Sequence, residues 1–377
     1  MGNIEAIDWK VIEGTLPANW RKLADDKKLI KRNLAPHIGG KVKDIGQILR
    51  LVLYRVAANT GLEAATAAFA AAGILTLSFV MLHKWTKRLG PYLGELVSLM
   101  VAEAHAAFAP ERWAGYEVIA VDATCVQRPG AKGTTSRVHR ALRLTDLRVV
   151  AAVVTDHTVG ETFRNFVIRA GQLWLGDRAY ANPPGVQWIV QHGADLLVRY
   201  NRGSLPLYDA RGTRIDVLAK LAKLRKPLRP REWKVFVNPA TGEHIAGRLC
   251  AVRLPKDDVQ RARERLRKEQ GADLTEESLE MAQFVAVFTT VTESKMSTQV
   301  ILELYRLRWQ IELDFKRDKS ATGLDKLPNY LPETIESWIY AKLLLHQILR
   351  KLADTESAIS PCALVASIGP SLERRAA

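Results

Sequence analysis

The sequence predicts an α/β fold preceded by a helical domain, and three changes of pattern along the chain support this. Residues 1–110 repeat apolar side chains at helical spacing, most regularly in Val42–Val56. From Tyr116 the pattern changes to short β-rich runs separated by turns. A second β-rich stretch, rich in cations, precedes a return to helical sequence. We therefore expect a helical domain over 1–110, an α/β core over 111–195 and 296–352, a β-rich basic insertion over 196–295 and a C-terminal tail over 353–377.

The helical domain contains a predicted helix–turn–helix. Gly61–Ala72 and Leu77–Leu89 form the two helices, and Gly73 marks the turn between them. The second helix ends in cations, so one interpretation is that the two helices bind duplex DNA; the other is an ordinary helical bundle with a basic end.

The 19 uncharged residues from Ala64 to Leu82 are long enough to cross a bilayer. They are mostly alanine and are interrupted by Gly73, so we expect two packed helices and no membrane span.

The remaining elements are predicted from periodicity and turn residues. In the core, the expected strands are Glu117–Val126, His139–Leu144, Val149–Thr155 and Gln172–Asp177, and the expected helices are Glu161–Ile168 and Pro184–His192. In the insertion, the expected strands are Asp195–Tyr200, Trp233–Val237, Ile245–Arg253 and Gln283–Thr290. Helical sequence returns in Leu302–Lys319 and Ser337–Leu352.

Charge and cysteine content restrict the class of protein. The chain has 55 Lys and Arg against 40 Asp and Glu, a net charge of +15, and seven of the cations lie between Lys220 and Lys234. This excess of cations suits binding to a polyanion such as DNA, although a basic protein without such a partner can have the same composition.

Cys125, Cys250 and Cys362 are far apart and form no CxxC pair, which argues against a zinc site and fits a reducing cytoplasm. The N-terminal segment has no secretory pattern.

The helical stretch near residue 310 carries four polar side chains at regular spacing. Tyr305, Arg308, Glu312 and Lys319 fall within about 60° of one another on an ideal helix. Such a face suits a phosphate and a metal ion, with the carboxylate as metal ligand and the cations on phosphate oxygens. The alternative is a solvated helix with charge pairs four residues apart.

Two aspartates follow apolar runs that are predicted as strands. Asp122 comes after Val118–Val121, and Asp177 ends the run that starts at Gln172. A carboxylate that emerges from a buried strand is costly unless it is paired or bound to metal. Two such acids, joined by one from a later helix, build a site for two hard cations, for which oxygen ligands favour Mg²⁺ or Mn²⁺.

The spacing of these residues resembles a known family. Tyr-x2-Arg-x3-Glu-x6-Lys at residues 305–319 is similar to the signature of the insertion-sequence-4 family of DDE transposases. Asp-Arg-x-Tyr at 177–180 and Val-Asp-Ala-Thr at 121–124 resemble the second and first acid motifs of that family. The resemblance covers about residues 115–350. It implies an RNase H-like core that carries a β-strand insertion between its last two acids.

The resemblance also implies roles for individual residues. The catalytic acids, which hold two Mg²⁺ or Mn²⁺ ions, would be Asp122, Asp177 and Glu312. The side chains that contact DNA would be Tyr305, Arg308, Lys319, Arg178 and Tyr180. A relative has a tryptophan 21 residues before the signature tyrosine, and this chain departs from it by having Phe284 at that position. A ring there would hold a flipped base, but Phe284 equally suits a buried strand.

The implied activity is cleavage at the ends of an insertion sequence and transfer of the freed 3′-hydroxyl to target DNA, by a cut-and-paste route through a hairpin. Double-stranded DNA would be the partner, a homodimer would join two ends, and the protein would work on the nucleoid of the bacterial cytoplasm. Glu333–Leu352 would supply the dimer contact or pack on the core. Two alternatives remain: a catalytically silent repressor that binds transposon ends, and a metal-dependent nuclease that does not rejoin DNA.

Some residues near these motifs are given lesser roles. His157 is expected in a solvated turn, Trp309 is expected to pack its helix rather than touch DNA, and Glu161 is expected to lie in the first turn of a helix. The acids most easily mistaken for metal ligands are Asp146, Asp156 and Asp318.

Overall fold

One mixed β-sheet of eight strands organises the part of the chain that the structure describes. In this computed structural model that part comprises residues 9–29, 42, 44–104, 113–239, 242–271, 274–327 and 332–356. The strands are β1 (Glu117–Val126), β2 (Ser136–Arg143), β3 (Arg148–Asp156), β4 (Gln172–Gly176), β5 (Asp195–Arg199), β6 (Arg231–Val237), β7 (Ile245–Arg253) and β8 (Phe284–Thr289). Their order across the sheet is β3-β2-β1-β4-β5-β8-β7-β6.

The sheet has a parallel centre and antiparallel flanks. β1, β4 and β5 run parallel to one another. On one side, β1, β2 and β3 are joined by antiparallel pairing, and on the other side β5 pairs antiparallel with β8, β8 with β7 and β7 with β6. The strands of the expected insertion therefore extend the same sheet as the core strands.

Helices precede the sheet, interrupt it and follow it. They are α1 (Trp9–Thr15), α2 (Trp20–Asp26), α3 (Ile45–Ala57), α4 (Leu62–Ala71), α5 (Phe79–Ala104), α6 (Pro183–Gln191), α7 (Val217–Leu221), α8 (Lys256–Gln270), α9 (Glu276–Met281), α10 (Thr298–Arg306), α11 (Trp309–Thr322) and α12 (Pro332–Glu356). Local sequence explains several helix ends. Asp44 accepts a hydrogen bond from the backbone N–H of Gly46 at the start of α3, and Asn182 does the same for Gly185 at the start of α6.

The two faces of the sheet bury different cores. Successive residues of β1 point to opposite faces. Val118 and Ala120 belong to the core that includes α5, α11 and α12, whereas Ile119 and Val121 belong to the core that includes α6 and the far strands. Asp122 continues the alternation of Val118 and Ala120, so its side chain lies on the face that carries α11 and α12.

The uncharged run near the N-terminus forms two helices, as expected. α4 and α5 are separated by a turn in which Gly73 has φ +67°, a left-handed conformation that favours glycine. No helix in the described ranges is both long enough and apolar enough to cross a membrane.

Two helical predictions are wrong in detail. The helix expected at Glu161–Ile168 is one 3-10 turn at Phe163–Asn165, capped by the side chain of Thr162. The helix expected at Leu302–Lys319 is two helices, α10 and α11, separated at Leu307 and Arg308. Hydrogen bonds from residue i to i−3 tighten this junction, including Arg308 N to the carbonyl oxygen of Tyr305 at 3.1 Å. Tyr305 therefore lies in α10, Arg308 lies at the junction, and Glu312 and Lys319 lie in α11.

The C-terminal helix packs on the core. Trp338, Ile339 and Leu344 of α12 are buried in the core shared with α5 and α11. Of the two roles left open for Glu333–Leu352, packing within the chain is the one that the structure shows. The expected tail lies outside the described residues beyond Glu356.

Candidate active site

Asp122 and Asp177 lie at the same level on neighbouring parallel strands. In the register that joins β1 to β4, Ala120 lies beside Leu175. The same offset, continued by two residues, puts Asp177, the first residue after β4, beside Asp122. Neighbouring strands are about 4.8 Å apart, and residues of equal parity share a face. The topology thus brings two carboxylates together on the face that α11 covers.

Asp122 is a half-buried carboxylate with too little positive charge around it. Its Oδ1 accepts a hydrogen bond from the backbone N–H of Ala123 at 2.9 Å. The pKa of Asp122 is raised to about 7, chiefly by burial and also by neighbouring Asp177 and Glu161, whereas Arg308 and the Ala123 N–H oppose the shift. A raised pKa means that the ionised carboxylate is poorly stabilised by its surroundings, so a bound cation would stabilise it.

Arg308 links Asp122 to the acid on α11. Its guanidinium donates a hydrogen bond to the Glu312 carboxylate, and its Nη1 lies 3.9 Å from Oδ2 of Asp122. Burial alone would lower the pKa of Arg308, but Tyr305, Glu312 and Asp122 raise it. One guanidinium therefore lies between a carboxylate of β1 and a carboxylate of α11.

The donor chemistry of the site fits a hard divalent cation, because carboxylate oxygens are the ligands that Mg²⁺ and Mn²⁺ prefer. Within the described ranges, however, no three His, Cys, Asp or Glu side chains are arranged to hold one ion. Two of the expected acids, Asp122 and Asp177, lie together, while the Glu312 carboxylate is paired with Arg308.

Tyr305 stands among arginines beside these acids. It is half-buried and accepts a hydrogen bond from Arg308, and burial raises its pKa. Arg199 of β5 lies close by: its pKa is lowered to about 10, chiefly by burial and also by Arg178 and Arg308, whereas Tyr305 opposes the shift. Mutually repelling guanidinium groups beside a carboxylate pair favour an anion at this position.

The remaining predicted DNA-contacting residues divide into accessible and buried ones. Arg178 is exposed in the turn after Asp177, and Lys319 is half-buried near the end of α11. Tyr180, in contrast, is fully buried, with its ring 5.0 Å from that of Phe163. Its hydroxyl has no hydrogen-bond partner among the described residues. The structure thus places Tyr180 behind the acids and not on a surface that DNA reaches.

Phe284 is also placed in the interior. It is 3% exposed, it begins β8, and the guanidinium of Arg253 lies 5.8 Å from its ring. Of the two interpretations of Phe284, the structure supports the buried strand position. Trp309 is more accessible: it is 50% exposed at the start of α11, and Nζ of Lys316 on the same helix lies 6.0 Å from its ring, so packing on its own helix and exposure to solvent coexist. The buried positions Ile311 and Phe315 face the sheet, and Trp309 lies off that face.

Two residues that the sequence patterns did not assign to the site lie in or beside it. Glu161 is half-buried and acts electrostatically on both Asp122 and Asp177, which places a fourth acid near the pair. No local pattern marks Glu161, because it precedes only a 3-10 turn. Arg140 of β2 is fully buried beneath α11. The signal for Arg140 was present, since a cation inside the expected strand His139–Leu144 requires a partner where that strand is buried.

The three acids that are most easily mistaken for metal ligands make structural contacts instead. Asp146 receives hydrogen bonds from Arg143, at 2.6 Å and 3.0 Å. Asp156 accepts from the backbone N–H of Thr158 at 2.7 Å in the turn that contains His157, which is exposed as expected. Asp318 pairs with Arg140.

The sheet, with Asp122 on β1, Asp177 directly after β4 and Glu312 on α11, fits a phosphoryl-transfer enzyme of the DDE class. The model of the transposase DDE domain matches residues 113–348, and the chain belongs to this family. It is similar to the putative transposase InsL for insertion sequence element IS186A of Escherichia coli (strain K12), with 30% identity over 312 residues that cover 81% of this chain and 84% of the relative. The transposase for insertion sequence element IS421 of Escherichia coli is 30% identical over 313 residues, with the same coverage of both chains.

Family membership makes the chain an enzyme that acts on DNA, a transposase of an insertion sequence element. DDE transposase domains generally use divalent metal ions. The match covers the sheet, the acids on β1 and β4 and helices α10 and α11, so it includes every residue of the candidate site.

Proposed function

We propose that the chain cuts the ends of its insertion sequence and joins the freed 3′-hydroxyls to target DNA, as a cut-and-paste transposase of the insertion-sequence-4 family. The observation that carries the proposal is the pair Asp122 and Asp177, level on adjacent parallel strands, with Glu312 on the helix that covers the same face. The strand order β3-β2-β1-β4-β5 is the order expected of an RNase H-like core and supports that assignment.

In this proposal Asp122, Asp177 and Glu312 hold two Mg²⁺ or Mn²⁺ ions. Bound there, such ions would activate the attacking hydroxyl and stabilise the leaving oxygen. In this proposal Arg308 exchanges one partner, the Glu312 carboxylate, for another, a DNA phosphate. Its guanidinium now pairs with Glu312, and the two unesterified oxygens of a DNA phosphate can accept hydrogen bonds from the same guanidinium. Transfer of Arg308 to a phosphate releases Glu312 toward the two aspartates, so DNA binding and completion of the site are coupled.

Further DNA contacts are proposed for accessible cations and aromatics. Tyr305 and Arg178 flank the acids, and Lys319 follows Glu312 on α11 by two turns. Trp309, half exposed beside Arg308, is better placed than buried Phe284 to hold a base that leaves the helix during hairpin formation. These placements support the hairpin route, which rests on the resemblance to the family.

A second DNA contact is proposed at the helix–turn–helix. Phe79, Val80 and Met81, at the start of α5, are 40–47% exposed, and Lys84 and Lys87 extend the exposed face along the helix. In helix–turn–helix proteins the first residues of the second helix contact base edges. We therefore assign residues 1–110 to binding of the element ends, with the basic insertion 196–295 on the flanking backbone.

The assembly in this proposal is a homodimer. Cutting two ends together requires two active sites, and DNA as substrate places the protein on the bacterial nucleoid. Because α12 packs on α5 and α11 of its own chain, the dimer contact is expected on other surfaces.

Incubation of the purified protein with Mg²⁺ and a labelled duplex that carries the element ends tests the proposal. Wild type should shift, cleave and join the duplex, whereas Glu312→Gln should shift it without cleavage. Glu303→Gln, which neutralises an exposed acid on α10, is the matched control and should behave as wild type.

Each alternative gives a different result in the same assay. A shift without cleavage by wild type indicates an end-binding repressor, and cleavage without a joined product indicates a nuclease. Equal cleavage by wild type and Glu312→Gln removes Glu312 from the mechanism.

A further inference from the structure

A buried ion cluster lies on the side of α11 that faces the sheet. Its centre is Arg140 of β2, which is 0% exposed. The guanidinium donates a hydrogen bond to Oδ2 of Asp314 at 2.6 Å and another to Oδ2 of Asp318. Both aspartates are on α11, one turn apart, and the ring of Phe315 between them lies 4.6 Å from the guanidinium. A charged group this deeply buried requires such partners.

The last helix completes the cluster. Arg350 of α12 donates to Oδ1 of Asp314 at 3.1 Å and to the carbonyl oxygen of Leu147, in the turn that joins β2 to β3. His346 of α12 pairs with Asp318. Four elements, the sheet, the β2–β3 turn, α11 and α12, are therefore joined through two carboxylates.

The cluster is next to the acid pair in the sheet. Arg140 lies directly across from Asp122 in the antiparallel pairing of β1 with β2. Directly opposite residues share a face and have Cα atoms about 4.5–5.5 Å apart. Arg140 therefore projects from the sheet beside Asp122, but its guanidinium forms ion pairs with Asp314 and Asp318.

The geometry relates the cluster to Glu312 as well. Glu312 precedes Asp314 by two residues, a rotation of about 200° around a helix. Glu312 therefore projects from a different side of α11 than the one that binds Arg140, and it pairs there with Arg308, whose Nη1 lies 3.9 Å from Oδ2 of Asp122. Fixing Asp314 and Asp318 on Arg140 fixes both the height and the rotation of Glu312 relative to Asp122.

We propose that Arg140, Asp314 and Asp318 form a positioning clamp for the active site. The clamp docks α11 on the strand pair that carries Asp122, and so sets where the Glu312 carboxylate stands. It also satisfies Arg140, which would otherwise compete for the neighbouring Asp122 carboxylate. The inference rests on the proposed metal-dependent function of Asp122, Asp177 and Glu312.

Isosteric variants test the clamp. Asp314→Asn and Asp318→Asn each remove one charge while keeping the shape of the side chain. Asp146→Asn is the matched control, because it takes a carboxylate from Arg143, a second buried arginine on β2, which also pairs with Glu117 of β1. For each folded protein, Mn²⁺ affinity is measured by calorimetry well below the melting temperature, and cleavage is measured with Mg²⁺.

We expect both clamp variants to bind Mn²⁺ about 10- to 100-fold more weakly than the control and to cleave more slowly by a similar factor. A loss of general stability would lower the melting temperature of all three variants without separating their metal affinities. If the clamp variants match Asp146→Asn in Mn²⁺ affinity and cleavage within about twofold, the clamp has no role in positioning.

Two further results keep the inference separate from the proposed function. Absence of Mn²⁺ binding and cleavage in wild type and Asp146→Asn contradicts the proposed function itself. If neither clamp variant folds, Arg350→Gln decides the question: it removes a 25%-exposed outer partner and leaves Arg140 paired. It should weaken Mn²⁺ binding several-fold, and an affinity equal to that of the control overturns the inference.

Discussion

Helix α11 carries a charged cluster on each of two sides, and the clusters differ in burial and in the pairing of their charges. On the inner side, Arg140, Asp314 and Asp318 are almost completely buried, and every carboxylate has a cation against it. On the outer side, Arg308 is the cation that contacts both Asp122 and Glu312.

The difference teaches which charges hold the fold and which serve a ligand. Burial alone would raise the pKa of Asp318, but Arg140 and His346 hold it below its usual value. The pKa of Asp122, in a site with less compensating charge, is raised to about 7. Paired charges stabilise one geometry, whereas uncompensated ones remain available to a cation. The predictions below alter one cluster at a time.

The largest expected effect is on the outer cluster. Asp177→Asn removes one of the two adjacent carboxylates and with it several kcal/mol of transition-state stabilisation, so cleavage with Mg²⁺ should fall by at least about a thousandfold. Single-turnover cleavage of an end duplex measures the effect. Asp156→Asn, at an acid that only orders a turn, should stay within about threefold of wild type. Cleavage by Asp177→Asn within tenfold of wild type contradicts the assignment.

The next effect separates the clusters by stability. Arg140→Met leaves two buried carboxylates without their main cation and should lower the free energy of unfolding by about 3–5 kcal/mol. Arg308→Met removes a cation from the partly exposed cluster. Solvent screens the repulsion between the acids that remain there, so the free energy of unfolding should fall by less than about 1 kcal/mol. Guanidinium denaturation followed by circular dichroism gives both values. Equal losses would mean that the two clusters do not differ as described.

The sequence patterns located the outer cluster better than the inner one, for a physical reason. Asp122 and Asp177 follow apolar strands, so their exceptional position is visible along the chain. Arg308 and Glu312 have a motif spacing that belongs to one stretch of helix. The inner cluster joins residue 140 to residues 314 and 318, and a contact across such a separation leaves no local periodicity.

The errors in the site have the same origin. Tyr180 was expected to contact DNA because of its place in the motif, but a motif does not tell whether a ring meets a core, and this ring is buried; for Phe284 the buried-strand interpretation is the one that the structure supports. An ideal helix put Tyr305 and Arg308 on one continuous face, whereas the helix is broken between them, at Leu307 and Arg308. Local patterns also leave the order of strands across the sheet undetermined, because strand pairing depends on contacts between distant segments.

A smaller effect is expected from pH in the absence of metal. Because the folded-state pKa of Asp122 is raised from 3.8 to about 7, the folded protein binds this proton more tightly than the unfolded chain does. Stability from this group is therefore full below pH 3.8 and is lost as the pH rises toward 7. Asp122→Asn has no such loss and should be more stable than wild type at pH 8 by roughly 1–3 kcal/mol.

Thermal unfolding with chelator at pH 4 and pH 8 measures this difference, which should be larger at pH 8. Mg²⁺ should raise the melting temperature of wild type at pH 8 and leave that of Asp122→Asn nearly unchanged. A wild type that is the more stable protein at pH 8 without metal would show that Asp122 is already compensated.

The smallest expected effect concerns the last cation of the motif. Lys319 is half-buried near the end of α11, and its proposed partner is a backbone phosphate, so Lys319→Ala should weaken end binding by no more than about tenfold. The loss should be similar for element ends and for unrelated duplexes, and the slope of log affinity against log salt should fall by about one. Arg317→Ala removes the same charge from an exposed position on another side of the helix and serves as control. A salt slope that falls equally in both variants would show that only the total charge of α11 matters. A slope that changes in Lys319→Ala alone would place a phosphate on the outer side of the helix, with Glu312, and not on the side held by Arg140.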